Sequence, residues 1–251
     1  MTDEVKEEIS ILVNASLDDA ENVWNQVGEK VTAKMSNFSE ASEALSVPTQ
    51  LPGYDWLEEG KPLVDEFIAF VLDMRCASRH LNEAIANTGA SQLQRIYYET
   101  TALLPATTRL IRNEEGGVTE YLGDGLLAFF KVDKDKPKSA CYRAHGAATD
   151  CMNAVREIIN PILAKRYKLP PIAIGIGMAH SKAILTLIGD RDLLKPIAFG
   201  KCVFYATKLS RGVNEIWIDY SLKVMWPKSD NGKLRFRHET LHGVDGYLMY
   251  R

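Results

Sequence analysis

The sequence predicts an α+β domain, a mixed and mainly antiparallel sheet flanked by helices, on three observations. Compact apolar runs of strand length recur along the chain, beginning with EFIAFVLD at 66–73. Two of them, in VTEYLGDGLLAFF (118–130), meet at a Gly-Asp-Gly turn of the kind that closes a hairpin. Between the runs lie stretches whose apolar residues are spaced near 3.6, long enough for full helices.

Taken in order, residues 1–47 are polar, with Ile9, Leu12, Val13, Leu17, Val23 and Trp24 at loosely helical spacing. SVPTQLPGYDW then carries two prolines and a glycine and reads as a linker, so 1–61 form a helical and linker segment and the main domain spans 62–251. EFIAFVLD reads as a buried strand. RHLNEAIANTG and ASQLQRIYYETTALLPATTRLIRN read as helices, the second kinked or ended near Pro105. The Gly-Asp-Gly hairpin follows, then a long helix over SACYRAHGAATDCMNAVREIINPILAKRY. PPIAIGIGMAHSKAILTLIG reads as a pair of strands with a polar middle, and KCVFYATKLSRG as a helix ended by Gly212. EIWIDYSLKVMW and KLRFRHETLHGVDGYLMY close the chain with strand-type alternation. Tyr97 and Tyr98 lie on an amphipathic helix, where core packing is expected of at least one. Cys76 reads as a small buried hydrophobe.

The chain has 251 residues, 46% hydrophobic and 25% charged, with a formal charge of −3. That suits one large domain with an appended segment and gives no reason to expect nucleic acid as a partner. The basic clusters KVDKDKPK and LAKRYK are interrupted by acids or apolar residues and read as solvated surface. Four scattered cysteines without a Cys-x-x-Cys pair argue against a zinc site or disulfide framework, and fit reduced thiols in a cytoplasm. The acidic start MTDEVKEEIS is unlike a signal peptide, and no apolar run approaches the roughly 18–20 residues of a spanning helix. No membrane partner is expected, and the reading is a cytoplasmic protein.

Two carboxylates carry the chemistry. Asp73 ends an apolar strand and Asp124 sits at a hairpin tip; singly, each is an ordinary strand terminator or turn former. If the Asp73 strand lies beside the hairpin, both carboxylates reach one end of the sheet, where without a cation they would repel. A divalent ion with a preference for hard oxygen, Mg²⁺ or Mn²⁺, removes that conflict, and the flanking glycines would let a phosphate approach the backbone.

At these residues the chain resembles class III nucleotidyl cyclases. FVLDMRCASRHL is similar to their first metal strand, and EYLGDGLLAFF to their second metal motif. IAIGIGMAHSKAILTLIG is similar to the strand pair that follows, and FGKCVFYATKLSRG to the helix written Gly-x-x-Val-Asn-x-Ala-x-Arg-Leu. Order and separations agree from about residue 66 to the end. Within the family, the Asp-Met-Arg start and the Ser-Arg-His after it are most similar to the pyrimidine cyclases of the Pycsar antiphage system. The resemblance implies a head-to-tail homodimer with active sites at the interface. Asp73, Asp124 and the Met74 carbonyl would hold two Mn²⁺ or Mg²⁺ ions per site. Attack of the ribose 3′-hydroxyl on the α-phosphate would release pyrophosphate.

The pattern also departs from the family. The lysine that precedes the second metal aspartate in adenylate cyclases is Glu120 here, and its aspartate partner is Ile197, so both adenine-reading positions have changed. Glu120 matches guanylate cyclases, whereas Ile197 is apolar where guanine readers are small and polar. A carboxylate could also accept from the cytosine amino group or from uracil N3–H, and strand alternation alone would place a polar residue at 120. The transition-state asparagine position is Phe204, and the arginine four residues on is Lys208, which keeps charge but loses the bidentate fork. Arg75, beside the metal turn, could reach phosphate or base, with a surface ion pair as the alternative. His242 stands at the triphosphate-lysine position and could equally be structural. The expected function is a pyrimidine nucleotide cyclase, making cyclic UMP from UTP or cyclic CMP from CTP, with a separate cyclic-nucleotide-sensing effector in antiviral defence. The alternatives are a guanylate cyclase and a degenerate cyclase-like binding domain.

Overall fold

The computed structural model describes residues 1–27, 46–83, 85, 88–189, 193–228, 232–241 and 243–250. In order, these form α1 (Asp3–Val27), β1 (Ser46–Pro48), β2 (Trp56–Glu58), β3 (Leu63–Met74), α2 (Ala77–Asn82), α3 (Gln92–Asn113), β4 (Gly117–Tyr121) and β5 (Gly125–Lys131). Next come α4 (Pro137–Ala154), a π-helical turn (Val155–Ile159), α5 (Asn160–Tyr167), β6 (Ile174–Ile188), β7 (Lys195–Gly200) and α6 (Lys201–Leu209). The chain continues as β8 (Glu215–Asp219), α7 (Tyr220–Met225), β9 (Arg235–Leu241) and β10 (Val244–Tyr250).

The main sheet runs β4-β5-β3-β6-β8-β10-β9, with β7 added beside the far half of β6. All its pairs are antiparallel except β6 with β8, so the expected α+β architecture is observed. β3 is buried from Phe67 to Leu72 because both of its faces are covered, which explains a continuous apolar run instead of alternation. Ile68, Phe70, Leu72 and Met74 point into the larger core, with residues of α1, α3 and α4. Phe67, Ala69 and Val71 point the other way, to a smaller core where Cys202 and Ala206 of α6 pack. Asp73 continues this second series, since strand side chains alternate.

Several elements differ from the sequence reading. The proposed linker contains β1 and β2, paired from Ser46↔Glu58 to Pro48↔Trp56. α1 is docked: Ile9, Val13, Leu17 and Ala20 are buried in the larger core, and Arg166 holds Asp18 and Glu21 at 2.5 and 2.7 Å. The helix expected over 79–89 is seen as the short α2; residues 84, 86 and 87 lie outside the described residues. Pro105 does not end α3, which starts at a Ser91–Gln94 capping box and runs on to Asn113. Burial of Ala102, Leu103, Ala106, Leu110 and Ile111 on either side of the proline outweighs the one backbone bond it removes.

The expected strand pair at 170–189 is one long strand, β6. Its polar middle ties the strand to two helices instead of turning: the His180 amide donates to Asp219 Oδ1 (3.1 Å), His180 Nδ1 meets Ser221 Oγ (2.9 Å), and Ser181 Oγ accepts from the Cys202 amide (2.9 Å). The strand expected over 215–226 stops at Asp219, whose carboxylate accepts from the Leu222 amide at 2.9 Å and starts α7. Tyr98 is buried and stacks on Tyr167 with ring centroids 4.3 Å apart, as core packing required.

Candidate active site

The site is built where β3 ends. Asp73 pairs with Gly125 in the antiparallel ladder, so the strand carrying one aspartate lies beside the turn carrying the other. That turn is a two-residue loop, Gly123-Asp124, closed by the Leu122 amide donating to the Gly125 carbonyl at 2.8 Å. Gly123 has φ +84°, the positive value needed at the first loop position of a type II′ hairpin. Gly125 is needed for a different reason: a Cβ there would lie 2.4 Å from the Leu72 carbonyl oxygen and 3.3 Å from Asp73 Oδ1. Gly123 thus answers the conformation of the turn, and Gly125 the crowding by backbone and carboxylate within this chain.

The Met74 amide donates to the Asp124 carbonyl at 3.2 Å. In extended backbone the N–H and C=O of one residue point the same way, so the Met74 carbonyl faces the Asp124 turn as well. The next residue reverses: the Arg75 amide donates to Ala173 at 2.8 Å. Arg75 then folds back, with Nη2 in an ion pair with Asp73 Oδ2 and Nε 3.3 Å from the Asp73 carbonyl oxygen. Burial lowers the Arg75 pKa, the charge of Asp124 works against that, and Arg211 adds to the lowering. A guanidinium therefore already sits where two carboxylates converge. Cys76 closes the turn at φ +62° and is exposed, contrary to the buried hydrophobe expected, because a left-handed residue ahead of α2 projects away from the core.

Glu120 joins the same face through a defect in β4. The ladder shifts between Val118 and Glu120, so that Glu120 opposes Leu127 where Thr119 otherwise would. Leu127 opposes Val71 in turn, so Glu120 shares the sheet face of Asp73, two strands away and about 10 Å across. Its side chain is exposed.

Other expected residues lie apart. Ile197 on β7 pairs with Thr186, beyond the β6 residue that meets Leu63 at the opposite end of β3 from Asp73. Phe204 is 54% exposed on α6 and meets Phe199 edge-on at 5.5 Å. Lys208 is exposed on the same helix, and among the described residues it has no ion pair with Asp73 or Asp124. His242 lies outside the described residues.

One residue was missed. Arg211, just past α6, is close enough to bear on Arg75 electrostatically. Two glycines bring it there: a Cβ at Gly175 would lie 2.1 Å from the Ser210 carbonyl oxygen, and one at Gly177 2.0 Å from that of Ala206. Gly175 is also the ladder partner of Asp73. The glycines of IAIGIG were the available signal, marking a strand that a helix end approaches closely.

Two carboxylates and a backbone carbonyl form a hard-oxygen donor set, and the chemistry fits Mg²⁺ or Mn²⁺. No group of three or more His, Cys, Asp or Glu side chains that could hold a metal occurs among the described residues, so any ion here rests on two side chains, backbone and ligand.

No family model matches the chain. In sequence it is similar to a uridylate cyclase of Burkholderia cepacia, 28% identical over 130 residues, which is 50% of this chain. The match spans about half of that curated relative, 52% of its length. In structure it is similar to the guanylyl cyclase Cya2, with TM-score 0.60 and 17% identity over 74% of this chain and 91% of that one. The adenylyl cyclase CyaB from P. aeruginosa gives TM-score 0.61 and 14% identity over 76% and 96%. The guanylate cyclase domain of RhGC from Catenaria anguillulae, in complex with GTP, gives 0.57 and 15% over 76% and 98%. No helix among the described residues is long and apolar enough to cross a membrane. The resemblance read from the motifs is borne out: the chain has the fold of the guanylyl and adenylyl cyclases it is similar to in structure, and the curated protein it is similar to in sequence is a uridylate cyclase.

Proposed function

We propose that the chain is a metal-dependent pyrimidine nucleotide cyclase, converting UTP to cyclic UMP, with CTP to cyclic CMP as the next reading. The observation that carries this is the convergence of Asp73 and Asp124 at one turn, with Glu120 brought to the same face by a bulge. Asp73, Asp124 and the Met74 carbonyl would hold two divalent ions, whose Lewis acidity would favour the ribose 3′-alkoxide and neutralise the triphosphate. Arg75 leaves Asp73 when that charge is met from elsewhere, and its guanidinium is then free to take phosphate oxygens bidentately. Arg211, beside it, adds to the positive field that developing phosphate charge requires. Glu120 reads the base edge, accepting from uracil N3–H or the cytosine amino group.

Lys208, Ile197 and Phe204 serve the site of a second copy in a head-to-tail homodimer. Ile197 lies at the other end of β3 from Asp73, and Phe204 and Lys208 are exposed on α6 with no ion pair or hydrogen bond to Asp73 or Asp124 among the described residues, which supports that assignment. Lys208 then supplies a point charge to the transition state, and Phe204 and Ile197 wall the base pocket. The product would act through a separate cyclic-nucleotide-sensing effector.

Glu120 favours one second reading, a guanylate cyclase, since a carboxylate also accepts from the guanine edge. One assay separates them: purified protein with Mn²⁺ and equimolar ATP, GTP, CTP and UTP, products identified by mass. Cyclic UMP or cyclic CMP is expected. Cyclic GMP alone would establish the second reading, and metal-dependent binding without turnover would establish a degenerate domain.

A further inference from the structure

A second cleft, of about 600 Å³, opens between α4, the end of α7 and the start of β9. It lies on the face opposite Asp73, because Trp226 and Phe236 pack against the larger core whereas Asp73 continues the smaller one. β9 is four strands from β3, about 20 Å across the sheet. Lys223, Lys228, Lys233 and Arg235 line it, and among the described residues no Asp or Glu does. Lys228 and Lys233 are exposed, and among the described residues neither has a carboxylate partner.

The walls between these cations are aromatic. Trp226 and Phe236 meet edge-on at 5.7 Å, His145 meets Trp226 edge-on at 5.6 Å, and Lys223 Nζ stands 4.4 Å from the Phe236 ring centroid. Tyr142 stands at the rim, 61% exposed. The cleft near Asp65 is a useful contrast. There Lys131 is paired with Asp65 at 3.0 Å and Arg143 with Glu115, so the site is neutralised internally. Arg235 Nη1 donates to the Gly232 carbonyl at 2.6 Å, which holds the guanidinium at the cleft, and Lys228 and Lys233 have no carboxylate partner among the described residues. Such cations beside aromatic side chains suit a ligand with both a phosphate and a flat ring.

We propose that this cleft binds a nucleoside phosphate independently of the catalytic carboxylates. Lys228, Lys233 and Arg235 take the phosphates, and the base stacks against Tyr142 and Trp226. No divalent ion is needed, because the protein supplies the countercharge.

The test uses the full chain carrying Asp73→Ala and Asp124→Ala, in EDTA, titrated calorimetrically with GTP, UTP, inorganic tripolyphosphate and a short single-stranded oligonucleotide. One nucleotide per chain is expected. Lys228→Glu with Lys233→Glu should weaken it at least tenfold, both residues being exposed enough to leave the fold intact. Tyr142→Ala should weaken the nucleotides and leave tripolyphosphate unchanged. No nucleotide binding in EDTA, or affinity unmoved by the charge reversals, would overturn the proposal. Tripolyphosphate binding as tightly as GTP would reduce the cleft to a simple phosphate site. An oligonucleotide binding tenfold tighter than GTP would make it a nucleic-acid face instead.

Discussion

At one end of β3, Asp65 accepts from Tyr54 Oη at 2.7 Å and from the Glu66 amide at 2.9 Å, and pairs with Lys131 Nζ at 3.0 Å. At the other end, the Asp73 carboxylate meets, among the described residues, only Arg75, two residues along, and stands beside the turn that carries a second carboxylate. Both carboxylates share a strand and a face, yet their surroundings differ in kind. Asp65 is satisfied by groups from three segments, so its negative charge is used up holding loop to sheet. Asp73 and Asp124 are brought together by the tightest part of the hairpin, where like charges oppose folding unless a cation joins them. A carboxylate with complementary partners is part of the scaffold, and a carboxylate whose neighbour is another carboxylate marks a site.

The sharpest way to break that comparison is to remove each in turn. Asp73→Ala and Asp124→Ala should each lower kcat by about 10³-fold or more. If Asp65→Asn lost as much activity at equal stability, the distinction between the two ends would fail. Next in size is the hairpin itself. Gly125→Val places a branched side chain against the Leu72 carbonyl and Asp73, and should cost more than about 2 kcal/mol in urea unfolding together with activity. Gly123→Ala, with open space around its Cβ but φ +84°, should cost only about 1 kcal/mol. Equal effects at the two glycines would mean that crowding at Asp73 is not what Gly125 relieves. Asp65→Asn should cost about 1–2 kcal/mol with turnover retained, as a weakened buried hydrogen-bond set requires.

Much of this contrast was legible in the sequence, and the illegible part has a common cause. The apolar run of β3, the Gly-Asp-Gly hairpin and the long helices follow from local periodicity, so the fold class and the placement of Asp73 and Asp124 at one end of the sheet could be read directly. What escaped depends on partners distant in sequence. The bulge that turns Glu120 to the site face exists only in the pairing of β4 with β5. β6 stays one strand because α6 and α7 satisfy its polar middle, and Asp219 starts a helix inside what alternation reads as strand. Arg211 reaches the site because Gly175 and Gly177 admit the end of α6, a contact between segments distant in sequence. Alternation reports which side chains are apolar, and says nothing of which face a shifted ladder presents.

The smallest predicted effect is the pH dependence of the scaffold end. Burial pushes the Asp65 carboxyl up, but the Tyr54 hydroxyl, the Glu66 amide and Lys131 together outweigh it, leaving the group below the usual carboxylate range. A carboxyl whose pKa is lower folded than unfolded stabilises the protein above its unfolded pKa and loses that contribution as pH falls through the folded one. The stability difference between the parent protein and Asp65→Asn should therefore be flat from about pH 5 to pH 8 and shrink below about pH 4. Urea unfolding across that range measures it. A difference at Asp65 that persisted undiminished at pH 3 would show that the Tyr54 and Lys131 contacts do not hold the ionised form, and the two ends of β3 would then be alike in the one property that separates them.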